Sequence, residues 1–172
     1  FYTTISTGIG GVLVVNGKTV SGKHGFGGDV ANIVIDRNRE KVNYLNVGAI
    51  ENEASGTAIV RKGREAYGEA EIPHAGVVFD KAVEGEEKAQ KIVAQMEQDL
   101  GQYFATVACV CDPDMFIIGG GMTKSADKFL PGVIENFKAY SHEAVRDTPF
   151  VISKLEEPGI VGAAMLPKSA GL

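Results

Sequence analysis

The sequence has few of the features that mark membrane, secreted or nucleic-acid-binding proteins. No apolar run approaches the roughly 20 residues that a membrane-spanning helix needs. The chain does not open on the charged and then apolar pattern of a secretion signal. Lysine and arginine number 17 against 22 acidic residues, a formal net charge of −5. A membrane span is therefore not expected, nor a nucleic-acid-binding surface in this domain.

Cysteine is scarce as well. Cys109 and Cys111 are two positions apart, which is too close for an ordinary intrachain disulfide, and they are too few for a zinc site. Reduced thiols in a cytoplasmic protein are the favoured interpretation. Glycine, by contrast, is clustered: its 22 residues gather in a few stretches, where the backbone must turn tightly or approach something closely.

The 172 residues suit one domain of ordinary size, and their patterns favour an α/β fold. Four strands are predicted at 1–7, 11–15, 18–20 and 32–35, with an Asn16-Gly17 turn before the third and a polar surface segment at 36–43. Later elements are predicted as a helix capped by Ser55, helices at 74–83 and 86–110, a strand within 113–118, a helix from 123 or 125 to about 145, a strand at 150–153 and a helix at 158–166.

The order βββ-β-α(α)α-β-α-β-α implies a mixed sheet with helices on its faces. An antiparallel meander followed by alternating helix and strand fits half of an actin-like (ribonuclease H-like) phosphotransferase. It does not fit a doubly wound dinucleotide fold, which would begin with a βαβ unit.

Two glycine stretches are candidate phosphate or nucleotide contacts. The tip of the first hairpin is Ser6-Thr7-Gly8-Ile9-Gly10-Gly11, where backbone N–H groups and two hydroxyls could surround a phosphate. A plain hairpin with a glycine bulge is the alternative. The second stretch is a strand that ends in Gly119-Gly120-Gly121, where bare backbone could lie against a planar ring; tight packing between strand and helix is its alternative.

Three side chains are candidates for holding a polyol. Asp29 and Asn32 follow a glycine turn, and a carboxylate beside an amide can grip adjacent sugar hydroxyls. Glu51 precedes the helix that Ser55 caps. The alternative is a solvated acidic side chain that the dipole at the helix N-terminus favours. Asp29, Glu51 and His24 are all possible general bases, whereas no role is expected for His74 or His142.

These stretches together resemble the ROK family of bacterial sugar kinases and repressors over essentially the whole chain. Thr7–Gly11 is similar to the family's Thr-Gly-Ile-Gly-Gly phosphate motif, and residues 25–32 (GFGGDVAN) align with its Gly-Phe-Ala-Gly-Glu-x-Gly-His. Residues 48–51 (GAIE) and 54–56 (ASG) align with a third family motif, Gly-Cys-Leu-Glu followed by Ala-Ser-Gly. Two later stretches, DPDMFIIGGGM and GIVGAAML, also look like family signatures.

The resemblance implies a hexose kinase that uses ATP and Mg²⁺ and forms a homodimer. By position, Ser6, Thr7, Gly8 and Gly10 would contact ATP phosphates, and Gly119, Gly120 and Gly121 would lie along the adenosine. Asp29, Asn32 and Glu51 would hold the sugar. Zinc is not expected, since residues 43–49 lack the family's cysteines and Asn32 replaces its histidine. Asp29 replaces the usual glutamate, which leaves the identity of the sugar open.

The family's Asp-x-Gly-Gly-Thr hairpin and its Asn-Asp pair, which contains the catalytic base, both precede the phosphate motif and are absent here. Residues 1–172 are therefore expected to be the larger, C-terminal domain of a two-domain protein, inactive alone and without a catalytic residue of its own. A sugar-responsive repressor of the same family and a non-catalytic sugar-binding domain remain alternatives.

Overall fold

A computed structural model describes residues 1–155 and 158–169 of the chain. The strands are β1 Tyr2–Ile5, β2 Ile9–Val12, β3 Val14–Val15, β4 Lys18–Thr19, β5 Phe116–Gly119 and β6 Phe150–Ile152. The helices are α1 Ile50–Ala54, α2 Gly56–Tyr67, α3 Ala75–Val83, α4 Glu87–Cys111, α5 Ala126–Tyr140 and α6 Pro158–Ser169. Short 3-10 helices lie at Glu69–Glu71, Gly121–Ser125 and Glu143–Val145. None of the described helices is both long and apolar enough to cross a bilayer.

The main sheet has four strands in the order β2-β1-β5-β6. β1 pairs antiparallel with β2, its hairpin partner, and parallel with β5, which lies more than a hundred residues away in sequence. β6 extends the sheet parallel to β5. A separate two-stranded ribbon forms where Asn16 and Gly17 turn β3 back onto β4, both with positive φ. The predicted mixed sheet with helices on its faces is confirmed.

The core lies between the sheet and helices α4 and α5. Phe104, Phe116, Phe137 and Phe150 come from two helices and two strands, and the centroids of contacting rings are 4.9 to 5.7 Å apart. The hydroxyls of Thr3 and Tyr103 lie 3.0 Å apart and are fully buried, which ties β1 to α4. Because burial disfavours the phenolate, the pKa of Tyr103 is raised well above its usual range.

The fourth predicted strand, at 32–35, does not form. Val34 makes a single antiparallel bridge to Ala49, and the backbone N–H of Ile35 donates to the carbonyl of Gly48 at 2.9 Å. The apolar residues of this run pack next to α1 without joining the sheet. A short apolar run has the same sequence pattern whether it forms a buried strand or a buried irregular segment. Here its long-range contacts make it an irregular segment.

The predicted strand at 11–15 is divided between β2 and β3, which belong to different sheets. Because β2 begins at Ile9, Gly10 and Gly11 of the predicted hairpin tip lie in the strand.

The helix boundaries were predicted more closely. Ser55 caps α2 as expected, since its hydroxyl accepts from the backbone N–H of Ala58 at 3.2 Å. The prediction missed the preceding helix α1, which is only five residues long. The helix expected to run to about residue 145 ends at Tyr140 and is followed by a separate 3-10 turn.

Gly101 lets α4 and α5 pack closely. A Cβ at this position would lie 2.5 Å from the Cβ of Asn136 and 2.8 Å from the backbone nitrogen of Phe137. Gly101→Ala should therefore lower the free energy of unfolding by about 1–3 kcal/mol, because overpacking outweighs the gain in helix propensity. The midpoint of urea unfolding measures the change.

Gly162→Ala in α6 is the matched control. A Cβ there would meet no atom within 4 Å among the described residues, so this variant should be neutral or slightly more stable than the wild type. A Gly101→Ala protein as stable as the Gly162→Ala protein would contradict the close packing of the two helices.

Candidate functional site

The loops after β1 and β5 meet because these strands are parallel neighbours. Thr4 pairs with Gly119, so both strands end at the same edge of the sheet. The chain leaves β1 through Ser6 and Thr7, and it leaves β5 through Gly120 and Gly121. The carboxyl ends of parallel strands are where α/β proteins bind ligands, because the loops there are free to form a site.

A cavity of about 580 Å³ lies at this edge. Its volume is within the range of about 300–1,000 Å³ that small-molecule sites have. Four segments line it: the hairpin tip, the start of α2, the start of α3 and the 3-10 helix after β5. The lining residues are Ser6, Thr7, Gly56, Thr57, Val60, Pro73, His74, Ala75, Gly76, Gly121, Met122, Lys124 and Ser125.

Close backbone contacts hold the hairpin tip against α2. The backbone N–H of Gly56 donates to the carbonyl of Ser6 at 2.7 Å. A Cβ on Gly56 would lie only 2.8 Å from that oxygen, so α2 can approach only with glycine here. On the other side, a Cβ built on Gly121 would lie 3.5 Å from the Ser6 hydroxyl oxygen. Three of the predicted nucleotide contacts therefore line the same cavity: Ser6, Thr7 and Gly121.

The other predicted glycines are not among the lining residues, and their missing side chains serve packing. A Cβ on Gly119 would lie 2.1 Å from the hydroxyl of Tyr2. Gly120 has φ +92° and passes close to the Ile5 carbonyl, and Gly10 faces the Thr4 methyl. At Gly8 a Cβ would collide with the carboxylate of Glu51. These four positions shape the edge of the sheet without lining the cavity.

Glu51 connects the hairpin tip to the segment that carries the other predicted sugar ligands. Its Oε2 accepts from the backbone N–H of Ile9 at 2.9 Å, while its own N–H donates to the carbonyl of Ala31 at 3.2 Å. Glu51 also lines a second cavity of about 110 Å³. Thr7 and Thr57 line both cavities, so the two spaces adjoin at these residues.

Asp29 and Asn32 lie outside both cavities. Asp29 is exposed and follows Gly28, whose carbonyl accepts from the N–H of Gly11 at 3.1 Å. The Oδ1 of Asn32 already accepts from the backbone N–H of Asn46 at 2.8 Å. The structure therefore brings the segment that holds Asp29 and Asn32 beside α1, but it does not place their side chains in a shared pocket with Glu51.

Sequence reasoning missed two side chains that line the larger cavity. His74, for which no role was expected, is the N-cap residue of α3 and faces the cavity. Lys124 reaches it from the 3-10 helix after β5. Pro73 next to a predicted helix start marked the position of His74, but only the packing of α3 against α2 and the 3-10 helix after β5 turns that position toward the cavity. Within the described residues, no three His, Cys, Asp or Glu side chains cluster as a metal site.

Comparison with known proteins assigns the family. The sequence model of the ROK family matches residues 1–170. The chain belongs to the ROK family. Its α/β fold, with a mixed sheet covered by helices, is the actin-like fold of ROK sugar kinases.

Two relatives with curated functions illustrate the similarity to sugar kinases. The chain is 30% identical to a glucokinase of Halalkalibacterium halodurans over 180 residues, which cover 96% of the chain and 54% of the relative. It is 26% identical to an N-acetylmannosamine kinase of Yersinia pestis, with 98% of the chain and 57% of that relative covered. The chain thus spans somewhat more than half the length of these ROK proteins.

Solved ROK structures have the same fold. A ROK hexokinase from Thermus thermophilus superposes with a TM-score of 0.85 at 26% identity, over 95% of this chain and 56% of that one. A ROK transcriptional regulator, a homologue of the Escherichia coli MLC protein, superposes with a TM-score of 0.81 at 23% identity, over 98% of this chain and 45% of that one. The fold alone therefore does not separate kinase from regulator.

Proposed function

We propose that the protein is an ATP-dependent sugar kinase and that this chain supplies contacts to both substrates. The observation that carries the proposal is the single cavity of about 580 Å³ that unites the hairpin tip with the glycine turn after β5. Family membership and the kinase relatives supply the reaction class: a phosphoryl group passes from ATP to a sugar hydroxyl.

ATP would occupy the larger cavity with its phosphates toward Ser6 and Thr7. This end offers two hydroxyls together with the positive end of the α2 dipole, both suited to anions. The adenosine would lie toward Gly121 and Met122, where the lining is mainly apolar and bare backbone allows close approach. Lys124 and His74 are near enough to this space to contact the nucleotide.

The sugar would bind on the Glu51 side of Thr7. Because Thr7 and Thr57 separate the two cavities, a γ-phosphate at Thr7 would be next to the acceptor hydroxyl. Oε2 of Glu51 is engaged with Ile9, while its Oε1 has no hydrogen-bond partner among the described residues and can accept from a sugar hydroxyl. Asp29 and Asn32 would join the site only with modest rearrangement of their exposed side chains.

Positioning and charge stabilisation account for most of the catalysis in phosphoryl transfer. Mg²⁺ would arrive with the ATP phosphates and neutralise their charge, since none of the described residues that line the larger cavity is a carboxylate. We assign no residue of this chain as the catalytic base, and we expect the chain alone to be inactive. A homodimer through this domain remains a prediction.

A coupled assay on the full-length protein tests the proposed reaction. ATP is supplied with glucose, mannose or N-acetylmannosamine, and release of ADP is followed for each sugar. Sugar-dependent ADP release supports the proposal. Sugar binding without nucleotide binding in calorimetry would favour a non-catalytic sugar-binding domain, and sugar-dependent release of bound DNA would favour a repressor.

Val60→Phe tests the location of the nucleotide. Val60 lines the larger cavity from α2, so a phenyl ring there should fill the space assigned to adenosine. Affinity for a non-hydrolysable ATP analogue should fall at least about tenfold by calorimetry, a loss of about 1.4 kcal/mol, with sugar affinity unchanged. Val110→Phe, at an exposed position near the end of α4, is the control. Unchanged analogue affinity in Val60→Phe would place the nucleotide elsewhere.

Glu51→Gln tests the sugar assignment. The amide oxygen can still accept from Ile9, so the hairpin keeps its contact while the acceptor for the sugar loses its charge. We expect KM for sugar to rise about tenfold or more, as a lost charged hydrogen bond would cause, with KM for ATP nearly unchanged. Glu87→Gln, at an exposed position in the first turn of α4, is the control. Equal rises in both KM values would refute the assigned role.

A further inference from the structure

The zinc motif of the ROK family would fall within residues 36–49 of this chain. The side chains present in this segment do not suit zinc. Zinc is bound by thiolates, imidazoles and carboxylates. Here residues 42–49 include no cysteine, histidine or carboxylate, and the nearby Asn32 and Asn43 offer only side-chain oxygens that already accept hydrogen bonds. Asn43 Oδ1 accepts from Leu45 N and from Asn52 Nδ2, each at 2.9 Å. Asn32 Oδ1 is taken by Asn46 N.

Arg39 binds this segment to two helices. Its guanidinium donates to Asp36 Oδ2 at 2.8 Å, to Asp99 Oδ1 at 3.0 Å and to Glu53 Oε2 at 3.3 Å. Asp36 belongs to the segment itself, Glu53 to α1 and Asp99 to α4. The planar guanidinium carries five donors in a fixed arrangement, and its three nitrogens each donate to a different carboxylate.

The two helix carboxylates of this cluster are buried, whereas Arg39 and Asp36 are half-buried. Glu53 and Asp99 are 3% and 4% exposed. Lys62, the second cation, contacts Glu53 Oε2 at 2.9 Å. Among the described residues, the buried Oδ2 atom of Asp99 has no hydrogen-bond partner, and burial raises the pKa of this carboxyl. Removing the guanidinium would leave two buried carboxylates with one cation between them, which a protein interior tolerates poorly.

Helix α1 lies between this cluster and the proposed sugar site. It has only five residues and no side-chain N-cap, so it cannot be held by its own helical hydrogen bonds. Glu51 and Glu53 are both on it: one carboxylate contacts the hairpin tip and the other contacts Arg39. A displacement of Glu53 would therefore move Glu51.

We propose that Arg39 is a positioning residue, whose ion pairs with Asp36, Glu53 and Asp99 fix segment 36–49 and helix α1 without a metal ion and so place Glu51. The effect on sugar affinity rests on the proposed function. The effect on local order does not, because the ion pairs exist whatever ligand the site takes.

Hydrogen exchange on the full-length protein tests the local effect, with Arg39→Met, Arg39→Lys and the exposed control Arg146→Met. Arg39→Met should speed amide exchange in residues 40–53 about tenfold or more, while the core of α4 stays protected. Arg39→Lys should recover part of the protection, since it keeps the charge. Protection of 40–53 equal in Arg39→Met and wild type would overturn the proposal, as would one tightly bound zinc ion per chain whose removal by 1,10-phenanthroline releases this segment.

Steady-state kinetics then separate positioning from general stability. Arg39→Met should raise KM for sugar about tenfold with KM for ATP changed less than about twofold. Equal changes in both would mean that Arg39 stabilises the domain without placing Glu51. If Arg39→Met does not fold, hydrogen exchange in residues 40–53 and the two KM values are compared between Arg39→Lys and the wild type instead. If the protein phosphorylates no sugar, hydrogen exchange still decides whether Arg39 orders the segment. Failure of the proposed kinase function can therefore be told apart from failure of the proposed role of Arg39.

Discussion

The parallel pairing of β1 with β5 is the constraint on which the candidate site depends. It joins the first strand of the chain to one more than a hundred residues later and brings the ends of both to one edge. The pairing is close because Gly120, with φ +92°, passes the Ile5 carbonyl where any Cβ would lie 2.4 Å from the oxygen. The phenylalanine cluster and the Thr3–Tyr103 contact hold the two strands from beneath.

Glycine has two different roles at this edge. Gly121 leaves room where the cavity is lined, whereas Gly8, Gly56, Gly119 and Gly120 allow neighbouring backbone and side chains to pack closely. The glycine clusters in the sequence therefore mark both space for a ligand and close packing between strands. Only the coordinates distinguish one from the other.

Polar side chains then connect this edge to the irregular segment that precedes α1. Glu51 contacts the hairpin tip, Glu53 contacts Arg39, and Arg39 reaches Asp99 on the long helix α4. An isolated five-residue helix is unstable in water, so these contacts and the burial of Ile50 and Ala54 in the core fix its position. Geometry at the proposed sugar site therefore depends on buried charges on the opposite side of α1.

Local sequence signals predicted the elements with strong periodicity or clear caps. The long helix α4, the Ser55 cap and the Asn16-Gly17 turn each rest on interactions a few residues apart, and each was predicted correctly. The run at 32–35 was not, because its conformation depends on long-range contacts. The segment at 36–43 lies mostly at the surface, as predicted, and its half-buried residues, Asp36 and Arg39, are the exceptions. Arg39 looked like a surface residue, yet its partners Glu53 and Asp99 are 14 and 60 positions away.

The same distinction applies to the candidate site. The hairpin tip and the turn after β5 could be placed together once a mixed sheet was predicted, since parallel strands bring their ends to one edge. His74 and Lys124 could not be found in that way. Their orientation toward the cavity follows from how α3 and the 3-10 helix pack, which no local pattern in the sequence specifies.

A crystal structure of the full-length protein with a non-hydrolysable ATP analogue tests the central claim most directly. The account predicts phosphate oxygens within hydrogen-bonding distance of the Ser6 and Thr7 hydroxyls, with the base between Met122 and the start of α3. A nucleotide bound at any other surface, with the cavity between the hairpin tip and Gly121 left to solvent, would contradict it.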